Sequence, residues 1–291
     1  MAKLTPTSAI KQAIKEKDTG IWTGTEAMLA IIEDLRKQVI GRLGEAAVGS
    51  WDQYQLRRML DSIEYQVSNF SEKAKAEADG LLDKSWGFGE NLVDAPLKVT
   101  GLYYGYHIST SSLDALKDFT FHKINELSNV AWNKLKGELT LGMMGGKSPQ
   151  EVASAIGKSL RRPSIFGSIA ERAEVITQTE MGRVFSTAAQ MRMKQAAQYV
   201  PDLQKVWIHA GHPKKARPSH LAAHGQHVPV NEPFNIGGVE MMHPRDPRAP
   251  IGEVIRCGCD HVTWTPRWGD SPTAGFKLPA YLEIERQKLA A

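Results

Sequence analysis

The sequence predicts an α+β protein: a long-helix N-terminal region followed by a small, loop-rich, β-containing C-terminal domain. Three observations carry this expectation. Apolar residues recur every three or four positions through most of the first 200 residues, the stripe of amphipathic helices. After Pro201 the chain breaks into short β-branched or aromatic pieces separated by Gly, Pro and Asn. Seven of the nine histidines and both cysteines fall in that last stretch, so its side-chain chemistry differs from that of the helices.

Taken in order, TEAMLAIIEDLRKQVIGRLGEAA (25–47) opens on a threonine and carries Met28, Ile31, Ile32, Leu35, Val39 and Leu43 on one helical face. Residues 51–82 repeat the pattern with Tyr54, Leu56, Met59, Leu60, Ile63, Val67 and Phe70, and such length suggests a helical hairpin. From 85 to 110 the density of Gly and aromatics, with one Pro, predicts an irregular connection with one short strand. Helix resumes over 111–144. Ser148, Pro149 and Glu151 then form a capping box with proline at the first helical position. A core helix is expected from Gly167 to Tyr199, with Ala173, Ile176, Thr179, Val184, Ala188 and Met191 on one face. QKVWIHA, HVPV, GVEMMH and EVIRCGCDHVTW are the strand candidates that follow. The expected domains are a helical arm or bundle (1–165), a compact domain with the core helix and a small sheet (166–270), and a C-terminal tail (271–291).

Composition excludes several classes. Nowhere do 18 apolar residues run together, and the first 20 residues lack the apolar stretch of a secretory signal, so no membrane partner is expected. No Gly-rich phosphate loop, HExxH or GxSxG occurs. The net charge of +4 is unevenly spread: the stretch from Lys158 to Arg217 carries an excess of seven positive charges, leaving −3 for the rest. Such an excess either attracts a polyanion such as double-stranded DNA or lines a solvated helix face. Lys214, Lys215 and Arg217 are the candidate DNA contacts.

Cys257 and Cys259 are the only cysteines. A disulfide across one intervening residue closes a tiny, strained ring, so both are expected to be reduced, in a protein made in a cytosol. Two readings of these thiols stay open. In an extended segment, positions i and i+2 face the same side; with His220 and His224, four apart on a helical turn, the pair could form a Cys2His2 set for structural zinc, with His243 and His261 as rival ligands. Otherwise the thiols are buried packing residues and no cofactor is bound. A Cys/His nucleophile pair has only weak support. A metal-dependent nuclease or DNA-processing enzyme drawing on His220, His243 and Asp246 is the alternative function.

The order of these residues resembles a known pattern. TQTEMGR, KVWIHA, RPSHLAAHGQ, PF, MMHPRDPRAP and EVIRCGC follow one another across about residues 170–265. The chain is thereby similar to the C-terminal region of the phage Mu F-like minor head proteins, the phage head morphogenesis family. The pattern Thr-Glu-x-x-Arg, Trp, Arg-x-x-His, Gly, Phe, Pro-x-Asp, Cys-Arg-Cys is met by Thr179, Glu180, Arg183, Trp207, Arg217, His220, Gly225, Phe234, Pro244, Asp246, Cys257 and Cys259. Gly258 stands where many members have Arg, so a role for that guanidinium is absent or passes to Arg256. His212 stands near the place of an acidic residue often found after the Trp. The resemblance implies a non-catalytic minor capsid protein of the virion, in the head interior or at the portal vertex, assembled in the host cytoplasm. It implies the portal protein and the major capsid protein as partners, and a role in head assembly or DNA packaging. On this reading the polar residues form an internal network, with Arg217 and Asp246 expected as a buried ion pair and His220 expected against the cysteine segment.

Overall fold

The structure, a computed structural model, describes residues 4–44, 53–105, 107–145, 147, 151–152, 156, 165–209 and 216–290. Among the described residues, four long helices lead the chain: α1 (Pro6–Gly44), α2 (Gln53–Val99), α3 (Ser111–Met144) and α4 (Ile165–Ala196). A small α+β region follows, with β1 (Gln204–Ile208), α5 (Pro218–Ala222), β2 (His227–Pro229), β3 (Phe234–Ile236), β4 (Val239–Met241), α6 (Ile251–Val254), β5 (Asp260–Trp264) and α7 (Ala280–Ala290). No described helix is long and apolar enough to cross a membrane.

The chain forms two compact units, and neither is a continuous stretch. One comprises Met1–Ile21, Leu82–Asp114 and Thr179–Ala291; the other comprises Trp22–Leu81 and Ala115–Gln178. Sequence reading places its boundaries at 165 and 270, because it follows changes of texture along the chain. The units are set by side chains that pack at long range, and each long helix contributes to both.

The all-helical unit is built on the expected stripes. Met28, Ile32, Leu35, Val39 and Leu43 are buried with Ile63, Val67 and Phe70 and with Ile124, Leu127, Ala131, Leu135 and Leu139. Each of these side chains apart from Ala131 removes enough apolar surface from water to contribute about 1.5–3 kcal/mol. Tyr54, expected on the stripe, is 68% exposed. Of the capping box, Ser148 and Pro149 lie outside the described residues.

In the other unit the irregular connection expected over 85–110 begins only at Thr100, since α2 continues as helix to Val99. Gly89 there marks close packing instead of a turn. A Cβ on Gly89 would lie 2.3 Å from the Phe185 carbonyl oxygen and 2.7 Å from Ala188 Cβ, so α2 and α4 approach closely only without one. The helix stops at Gly101, whose φ of +72° lets Leu102 N–H donate to the Leu97 carbonyl and Gly101 N–H to that of Lys98.

The sheet runs β2-β1-β5, all antiparallel, with Trp207 opposite His261 and Lys205 opposite Thr263. β3 and β4 form a separate hairpin whose two-residue turn, Gly237-Gly238, has positive φ at both positions. EVIR, expected to be strand, is instead the end of α6 and a turn in which Arg256 has φ 55°. Val206, Ile208 and Val262 pack with Phe185, Ala189 and Met193 of α4. Trp207, Phe234, Ile236 and Met241 enclose the two cysteines.

Candidate functional site

The cysteines precede β5, and His220 sits in α5, a five-residue helix begun by Pro218. The two meet because Arg217, just before that helix, donates from Nη2 to the Ile255 carbonyl at 2.5 Å. His220 Nδ1 is 3.5 Å from Cys257 Sγ and 3.5 Å from Cys259 Sγ, and all three are buried. The other ring nitrogen, Nε2, lies 2.7 Å from Glu253 Oε2. A carboxylate only accepts, so Nε2 carries a proton, and in the neutral ring the Nδ1 lone pair faces both sulfurs. Trp207 fixes the ring from the side, edge-on at 5.5 Å between centroids, and packs the same way on Phe234 at 5.3 Å. Among the described residues, His220, Cys257 and Cys259 are the one group of His, Cys, Asp or Glu placed to share a ligand.

The thiols are not equivalent. A hydrogen bond from Cys259 holds the Cys257 thiol well below its ordinary range against the opposing effect of burial, with His220 and Arg245 adding to the lowering. Cys259, the donor of that bond and fully buried, is pushed well up. Both are free cysteines.

His224 is not in the cluster. α5 ends at Ala222 and the chain turns at Gly225, φ +85°, so the i, i+4 relation expected of a longer helix is lost. Its Nδ1 accepts from the His209 backbone N–H at 3.2 Å, and it lines a cleft of about 520 Å³ with His227, Phe276, Glu283 and Arg286. His243 and His261 are also elsewhere, stacked on each other at 6.0 Å and buried. Burial lowers His243 to about 4 and His261 well below its ordinary value.

A network of buried charges surrounds the cluster. Glu180 and Arg183, one turn apart on α4, form an ion pair at 2.8 Å with both side chains under a tenth exposed. Arg245 enters the core with φ 63°; its Nε donates to the Cys257 carbonyl at 2.8 Å and its Nη1 to the Gly182 carbonyl and Ser186 Oγ, both at 3.1 Å. Only glycine fits at 182, since a Cβ there would stand 2.5 Å from Arg245 Nε. Pro244 supplies the carbonyl next to His243 Nδ1, at 3.0 Å.

The expected ion pair of Arg217 with Asp246 is not formed. Arg217 is spent on the Ile255 carbonyl, and Asp246 is held by its near neighbour Arg248 at 2.8 Å and by the backbone N–H groups of Met242 and Arg248. Burial pushes the Asp246 carboxyl up, but these donors outweigh it and hold it at about 2. Lys205, fully buried, donates to the Met242 carbonyl at 2.6 Å and to Gln190 Oε1 at 3.2 Å. Desolvation, followed by the charge of Lys194, lowers it to about 7.

Burial also revises the basic stretch. Arg183, Arg192 and Lys205 are buried; Arg192 pairs with Asp94 at 2.7 Å. These three cannot meet a polyanion. Lys214 and Lys215 lie outside the described residues.

Sequence reasoning missed Arg245, Glu253, Asp260 and Lys17. Arg245 hides in the unspecified place of Pro-x-Asp, and no local signal distinguishes the other three from surface charges.

Residues 133–260 match the family described as Phage Mu protein F like protein, a match that begins earlier, within α3, than the resemblance read from the motif. No curated protein and no solved structure matches the chain. Over that region, which is less than half of the chain, the sequence is similar to the phage Mu F-like proteins.

Proposed function

We propose that this chain is a minor capsid protein of a tailed phage or phage-derived particle, seated at the portal vertex in contact with portal protein, major capsid protein and packaged DNA, without turnover of its own. One observation carries the reading: three of the four charged residues of the pattern, Glu180, Arg183 and Asp246, are buried and paired, while Arg217 is not buried and binds a backbone carbonyl. Glu180, Arg183 and Asp246 are each no more than 6% exposed, and all three are bound to protein neighbours. Buried charges survive folding only when paired, so this pattern reads as the internal scaffold of a domain. A nuclease, by contrast, must present its base and metal to a phosphodiester. His220, His243 and Asp246 are all buried, and each is committed to a different partner.

The test is an asymmetric image of particles that carry a tagged copy of the chain. Density at a single vertex supports the proposal, whereas a tag absent from particles, or spread over the whole capsid lattice, overturns it. DNA contact falls on Lys214 and Lys215 in this reading. Reversing both to Glu should reduce the dependence of log affinity on log salt by about two ion equivalents. Metal-dependent cleavage of DNA that disappears on replacing His220 would favour the enzyme reading instead.

A further inference from the structure

We propose that His220 Nδ1 and the sulfurs of Cys257 and Cys259 are three ligands of one buried zinc ion, with Glu253 as the carboxylate that orients the histidine. The geometry supports this first. With Zn–S near 2.3 Å and Zn–N near 2.0–2.1 Å, a tetrahedral site has an S···N edge of about 3.5 Å. The structure holds Nδ1 at 3.5 Å from each sulfur, with all three donor atoms within 4.8 Å of one another.

Hydrogen bonding supports it second. Glu253 accepts the hydrogen bond from Nε2–H, so a single lone pair on Nδ1 is shared between two sulfurs at equal distance. A divalent cation engages all three groups, and its binding releases the two thiol protons. The Glu–His arrangement is the outer shell that zinc histidines ordinarily have, fixing the tautomer and raising ligand basicity. Two thiolates offset the charge of the ion, which suits a site walled by Trp207 and Phe234. The softness of the donors selects zinc over magnesium or calcium. His224 is not a ligand, since its Nδ1 is engaged by the His209 backbone N–H.

The experiment is elemental analysis of the full-length chain purified without chelator from zinc-supplemented cells, followed by cobalt substitution. One zinc per chain and a thiolate-to-cobalt charge-transfer band are expected, and both should be lost in Cys257→Ser and Cys259→Ser. Glu253→Gln, whose amide oxygen still accepts from Nε2, should fold and bind zinc about 10- to 100-fold more weakly in chelator competition. A wild-type chain without stoichiometric metal and without the cobalt band overturns the site, as does full metal content in both serine variants. Should the serine variants not fold, the wild-type content and the Glu253→Gln affinity decide; an unchanged affinity removes Glu253 from the site. The result is independent of where the chain sits in a particle.

Discussion

Lys17, near the start of the chain, places its Nζ 2.6 Å from Asp260 Oδ2, across 243 residues of sequence, and both side chains are buried. The lysine also lies over the Phe185 ring at 5.2 Å. The other oxygen of Asp260 is 3.9 Å from Arg245 Nη2, so Lys17 is the close cation. The first turns of α1 are thus tied to the strand that follows the cysteines.

Removing one partner of a buried pair strands the other charge. Lys17→Met is therefore expected to destabilise the chain by about 3–5 kcal/mol, and Lys17→Met with Asp260→Leu should recover much of that loss. Urea denaturation followed by circular dichroism measures both. A single variant as stable as wild type would disprove the coupling.

Gly182→Ala should cost about 2–4 kcal/mol, because its methyl group displaces Arg245 from the Cys257 carbonyl and leaves buried groups without partners. Gly137→Ala is the control. Its Cβ meets nothing within 4 Å, and alanine there should be neutral or stabilise α3 by up to about 1 kcal/mol. Thermal melts of the two proteins should move in different directions.

Asp246→Ala should destabilise the chain by several times the effect of Arg217→Ala. The aspartate is buried and holds two backbone N–H groups and Arg248, whereas Arg217 contributes a hydrogen bond to one carbonyl, on the order of 1 kcal/mol. Equal losses in a denaturation experiment would restore the Arg217–Asp246 pairing expected from sequence.

Acid should weaken the fold in two steps. His243 titrates near 4 folded against an ordinary 6.5, so its neutral form favours the native state fully above pH 6.5. That contribution, about 3 kcal/mol, is lost as pH falls from 6.5 to 4. Asp246, at about 2 against 3.8, adds a second loss, of about 2 kcal/mol, between pH 4 and 2. Denaturation midpoints measured from pH 7.5 to 4 should fall steadily in wild type and less steeply in His243→Asn, where buried His261, also held well below its ordinary value, leaves the rest of the fall. A flat wild-type profile across that range contradicts the assignment.

The helical stripes were legible because period 3.6 is written into neighbouring residues. Met28 through Leu43 could be assigned to a buried face without any other part of the chain. The strands were legible for a similar reason, and so was the Gly237-Gly238 turn region, since β-branched runs and punctuating glycines act locally. Other glycines misled. Gly87 and Gly89 read as a connection, yet they lie within α2, and Gly89 does so because a second helix backbone arrives there from a hundred residues away.

The sequence by itself determined that Cys257, Cys259 and most of the histidines, His220 among them, fall within one loop-rich region, and the resemblance set His220 against the cysteine segment. It could not decide whether His224, His243 or His261 joins them; His224 does not, because α5 stops after five residues and the chain turns at Gly225, and His243 and His261 stack on each other elsewhere. Nor could it decide which cation answers which carboxylate. Charge pairing in a core is chosen by the packing that removes water, so Asp246 takes Arg248 and Asp260 takes Lys17, partners that only the folded chain brings within 3 Å.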